Sequence, residues 1–113
     1  MKMIMNDKAD CIESITKSLE HTSAWRKTLI RRWPDDARNA RAAKTLDRLA
    51  EGAESLTDDH WLKLQPYYSW ASETWRNGVN QTARQVGFHH RAGDIEYFIK
   101  ALLQNLSMSG VAA

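Results

Sequence analysis

Four histidines, one cysteine and two adjacent carboxylate pairs are the groups in this chain with the chemistry for catalysis or metal binding. His21, His60, His89 and His90 are the only imidazoles. No two of them stand at the i, i+4 spacing that puts a pair of ligands on one helix face. His89 and His90 are neighbours, and on a helix their side chains diverge by about 100°. In the loop Gly87-Phe-His-His-Arg-Ala-Gly93 they can converge with Asp94, but a metal there needs a further ligand that the sequence does not supply. The expectation is an exposed polar loop, with no metal and no cofactor. Asp35/Asp36 and Asp58/Asp59 fall where helix N-termini favour negative charge, and capping accounts for both pairs. Cys11 is alone, so no intrachain disulfide and no Cys-rich zinc module can form, which suits a reducing cytoplasm. On an apolar helix face a lone cysteine is an inert small hydrophobe. With no glycine-rich phosphate loop, nucleophile elbow or Cys–His signature, the chain does not read as an enzyme.

The elements that must position these groups are helical. Met5, Ala9, Ile12, Ile15 and Leu19 follow three- and four-residue steps behind Asn6 or Asp7 as a cap. The stripe loses phase near His21-Thr22-Ser23. A new one follows with Trp25, Leu29 and Trp33, which predicts either a second helix capped by Thr22 or Ser23, or one long bent helix. Pro34 ends whatever precedes it. Pro34-Asp35-Asp36 opens the next helix, with proline at its first position and two carboxylates at the positive dipole end. Its buried stripe is Ala42, Leu46, Leu49, Ala53 and Leu56, and its small residues let a neighbour approach closely. Gly52 interrupts this helix or marks its C-terminal side.

Thr57 caps a short helix that Pro66 stops. Ser69 or Ser72 starts another, carrying Trp75, Val79, Ala83 and Val86 and ending at Gly87. The last begins near Asp94 and carries Ile95, Phe98, Ile99, Leu102 and Leu106. No run of alternating β-branched residues argues for a strand. The predicted fold is all-α, a compact single-domain bundle or array of five to six helices over residues 1–113, with 1–5 and 107–113 frayed. Hydrophobic residues at 42% and charged residues at 27% match an ordinary globular protein. No apolar segment is long enough for a signal-peptide core or a membrane span, so the expected location is cytoplasmic.

Charge is unevenly placed. Residues 26–48 hold eight basic side chains against three acidic ones, while residues 49–75 hold five acids against Lys63. Such a chain can hold its own halves together or pair head to tail with a copy of itself. Arg41, Lys44 and Arg48 share a helix face and, with His89, His90 and Arg91, are the candidate contacts for an anion or nucleic acid. Thr82-Ala83-Arg84-Gln85-Val86-Gly87-Phe88 resembles the first half of the DNA-binding helix-turn-helix, with small Ala83, apolar Val86 and turn residue Gly87 in place. The resemblance implies a nucleic-acid-binding regulator, but beyond this stretch the chain departs from it. Gly93 and Glu96 stand where the second helix needs apolar residues.

Tryptophan is the remaining signal. All five, Trp25, Trp33, Trp61, Trp70 and Trp75, lie in one half of the chain. Each ring removes about 150–250 Å² from water if buried, and the same ring anchors partners when exposed. Trp61, Tyr67, Tyr68, Trp70 and Trp75 crowd around Pro66, and Trp70 and Trp75 point about 140° apart on one helix. One of them is therefore expected to face outward. The sequence reading is an association module without catalytic activity, binding itself as a homodimer or another protein through Trp61, Tyr67, Tyr68 and Trp70. The alternatives are nucleic-acid binding and an aromatic pocket for a small molecule.

Overall fold

A computed structural model describes residues 4–69, 71–86 and 94–108, with the side chains of 7–69, 71–85 and 94–108. Its elements are α1 (Ile4–Arg32), α2 (Ala37–Gly52), a 3-10 turn (Ala53–Ser55), α3 (Asp58–Leu64), α4 (Glu73–Val86) and α5 (Ile95–Met108). No strand occurs among the described residues. The fold is the expected all-α bundle, and among the described residues no helix is long and apolar enough to cross a membrane.

The first two expected helices are one. α1 runs unbroken for 29 residues, roughly 43 Å at 1.5 Å per residue, along a molecule measuring 51 × 26 × 23 Å. The apparent loss of phase has a physical cause. Cys11, Ile15 and Leu19 are buried, and the same face continues with Thr22, Ser23 and Arg26, which are buried as well. The stripe does not shift; it turns polar. Trp25 and Trp33, which looked like its continuation, are exposed.

α2 lies antiparallel to the second half of α1. Ser23 Oγ donates to the Ala43 carbonyl at 3.3 Å and to Asp47 at 2.6 Å, and Arg26 reaches Asn39. A serine hydroxyl touching a backbone carbonyl of the facing helix requires close approach, and buried Ala42, Ala43, Ala50 and Ala53 allow it. α4 runs parallel to α1, tied at Trp75 to Ser14, at Asn80 to Ser18 and at the Arg84 carbonyl to Arg26. α3 closes the N-terminal end of α1, where Lys8 pairs with Asp58.

The helix boundaries follow from their caps. Asp36, two residues after the expected Pro34, accepts from the Arg38 backbone N–H and caps α2. Thr57 caps α3 in a capping box whose other half is His60, its ring Nδ1 accepting from the Thr57 N–H. Ser72 and Asp94 accept from Trp75 N–H and Glu96 N–H at the starts of α4 and α5. Val79 and Ala83 follow Trp75 on the buried face of α4, while Phe98, Ile99, Leu102 and Leu106 supply that of α5.

Trp75 is the largest fully buried side chain among the described residues. Its indole N–H donates to Ser14 at 3.0 Å, and Tyr68 meets its ring edge to face at 5.1 Å. Trp75→Ala should lower the unfolding free energy by about 3–5 kcal/mol. At Gly78 a Cβ would stand 2.7 Å from Cδ2 of the fully buried Leu106. Gly→Ala inside a helix ordinarily gains about 1 kcal/mol, but overpacking costs about 1–3. Gly78→Ala should therefore destabilise the protein, as read by chemical denaturation.

Candidate interaction site at the basic end of the bundle

Of the four residues expected to form a docking patch, Trp61 is buried and belongs to the core. This corrects its expected outward role. Tyr68 stacks edge to face between Trp61, at 5.8 Å, and Trp75; three rings thus share one apolar site, and the crowding around Pro66 is met inward. Tyr67 and Tyr68 are half-buried against the same core, and Trp70 lies outside the described residues. Burial, reinforced by the nearby carboxylate Asp10, pushes the Tyr68 phenol up to about 12. Burial likewise raises the Cys11 thiol to about 12, so it is protonated and inert at neutral pH.

The exposed indoles are at the other end. Trp25 is 43% exposed and Trp33 59%. The Trp33 N–H still donates to the Leu29 carbonyl at 2.8 Å, so the ring continues the phase of α1. At 100° per residue, Trp25, Leu29 and Arg32 lie within about 60° of one another. Leu29 is half-buried and Arg32 exposed. Arg32, Trp33, Pro34, Asp35, Asp36 and Ala37 line an open recess of about 560 Å³ where α1 turns into α2.

Arg26 builds this end from beneath. Its side chain is buried, and its guanidinium donates from Nη1 to Asn39 Oδ1 at 3.1 Å and from Nη2 to the Arg84 carbonyl at 3.4 Å. One side chain therefore joins α1, α2 and α4. Burial, with Arg38 nearby, lowers its pKa from the ordinary arginine value. The Arg26 and Arg84 guanidiniums lie 4.8 and 5.9 Å from the Trp25 ring centroid, within cation–π range. Trp25 is thereby held in place without being covered.

Several of the surrounding cations are already neutralised. Arg38 grips Asp36 at 2.8 Å and Lys27 reaches Asp47 at 3.1 Å. The Arg38 hydrogen bonds hold the Asp36 carboxyl down at about 2. Burial pushes Asp47 up, but the hydrogen bonds from Ser23 and Lys27 outweigh it and its pKa falls below the ordinary value. Arg41, Lys44 and Arg48 are exposed on the outer face of α2. The structure thus gives them a shared solvated face. His89, His90 and Arg91 lie outside the described residues.

Among the described residues no group of three or more His, Cys, Asp or Glu gathers as metal ligands do. His60 caps α3. Sequence reasoning missed Trp25, Trp33 and Arg84 as an exposed set. The available signal was Arg26: an arginine spaced i+4 from Thr22 and i+7 from Leu19 shares their face, which leaves Trp25 at its edge. Comparisons with protein-family models, curated proteins and solved structures find no match to this chain.

Two outcomes follow. Arg26→Ala should lower stability by about 2–4 kcal/mol, because it strands Asn39 and opens a cavity among three helices; denaturant titration reads this. Asp36 and Asp47 have folded-state pKa values below 3.8, so their contribution is present above about pH 4 and is lost as pH falls toward 2. Asp36→Asn should flatten that acid limb, measured as the melting temperature against pH.

Proposed function

We propose that this chain is a small non-catalytic association module that docks through the Trp25–Leu29–Trp33 face onto a protein surface carrying acidic and apolar residues. The observation behind this reading is the exposure of Trp25 and Trp33, a large share of the aromatic area, on one helix edge bordered by Arg32 and Arg84. Tryptophan and arginine are the residues most enriched at binding hot spots. The surroundings favour a mixed apolar and acidic partner over a polyphosphate. Asp35 and Asp36 line the same recess, and Arg38 and Lys27 already hold carboxylates. A nucleic acid would meet those acids as well as the arginines. The free, buried Cys11 fits a cytoplasmic setting.

The test uses a synthetic amphipathic helix of Leu and Glu as probe, followed by tryptophan fluorescence at low ionic strength. Saturable binding is expected, and Trp33→Ala should weaken it by about 2 kcal/mol, roughly 30-fold. Arg32→Glu should weaken it as well, and added salt should do so by screening. Absence of binding, or affinity unchanged in Trp33→Ala, contradicts the proposal. Tighter binding of a single-stranded oligonucleotide, with a steep salt dependence, replaces it with the nucleic-acid reading.

A further inference from the structure

We infer that the occupant of this face is the α3 end of a second copy of the same chain, so that molecules associate head to tail. The inference rests on the docking role proposed for the Trp25–Trp33 face and adds the identity of the partner.

α3 presents the chemical complement of that face. On its outer side Asp58, Leu62 and Asp59 fall within about 100°, and Leu62 is 63% exposed, a bare leucine between two carboxylates. Glu54 is exposed just before it. The basic end shows the converse, two indoles between Arg32 and Arg84. Asp58 and Asp59 touch Lys8 and Lys63, but both carboxylates are largely exposed, with side-chain accessibilities of 89% and 75%. Exposed pairs of this kind are weak and exchange partners readily.

One molecule cannot bring the two surfaces together. Buried Trp61 and Leu64 pack α3 into the core beside the start of α1, where Asp58 meets Lys8, whereas Arg32 lies 24 residues further along the same continuous helix, about 36 Å away. Symmetric pairing of two basic ends fails for a different reason, since it sets Arg32 and Arg84 of one copy against their equivalents in the other. The inferred contact is heterologous, the basic face of one copy meeting the α3 end of the next. Such a contact leaves one unfilled face at each end and grows into a ring or an open chain.

Sedimentation velocity from micromolar to millimolar concentration, at low and high salt, tests this. The wild-type mean mass should climb past that of a dimer at low salt and return toward the monomer at high salt. Arg32→Glu/Arg84→Glu removes the basic face, and Leu62→Lys removes the acidic one. All three positions are exposed, and circular dichroism and melting verify each fold. Each variant alone should be monomeric, and an equal mixture should form a dimer and nothing larger, since each partner keeps one intact face. Wild-type protein that stays monomeric throughout overturns the inference. So does a closed dimer, or a mixture that remains monomeric. Binding of the Leu/Glu helix by a strictly monomeric protein would overturn the head-to-tail arrangement alone and leave the docking face standing.

Discussion

A guanidinium in the interior sets the arrangement at one end of this bundle. Arg26 continues the buried face of α1 where its apolar residues end, and it answers to Asn39 on α2 and to the Arg84 carbonyl on α4. Burying a charge is costly unless hydrogen bonds meet it, so the two helices can approach this stretch of α1 only in positions that supply those acceptors. Ser23, bonded to Asp47 and to the Ala43 carbonyl, imposes the same condition one turn earlier. The apolar half of α1 sets how much area is buried; its polar half sets the register.

That division explains which parts of the fold were legible in the sequence. The stripes of α2, α4 and α5 are mostly apolar, with Asn39 and Thr82 the polar members of the first two, so periodicity alone finds Leu46, Leu49, Val79, Phe98 and Leu102 inside. The caps at Asp36, Thr57, Ser72 and Asp94 have side chains with few other uses at such positions. α1 was harder because a buried face made of Thr22, Ser23 and Arg26 looks like a solvated one until its partners are known. The apolar signal is then carried by Trp25 and Trp33, which the structure leaves exposed. Hydropathy patterns assume that buried means apolar, and α1 breaks that assumption.

The aromatic cluster misled in the opposite sense. Around Pro66 the rings looked too many for a small core, yet Trp61, Tyr68 and Trp75 stack edge to face and share a single volume. Edge-to-face geometry lets three rings fit where three separate pockets would not. Of the two indoles expected to diverge, Trp75 faces inward and Trp70 lies outside the described residues, while the exposed rings are Trp25 and Trp33. The exposure of Trp25 follows from Arg26: with the guanidinium occupying the buried position, the neighbouring ring is left at the helix edge over two cations, while Trp33 stands just past the end of α1. The sequence-level imbalance of charge then takes on a spatial meaning. Basic residues gather where α1 ends, carboxylates where it begins, and an unbroken helix keeps them apart.

Hydrogen exchange of the indole N–H groups, followed by nuclear magnetic resonance in dilute solution, tests this account most directly. The Trp75 indole, buried and bonded to Ser14, and that of buried Trp61 should exchange slowly, while those of Trp25 and Trp33 should exchange nearly as fast as in an unfolded peptide. Strong protection of Trp25 and Trp33 in the monomer would mean that this end of α1 does not leave its indoles outside, and the account would fail at its base.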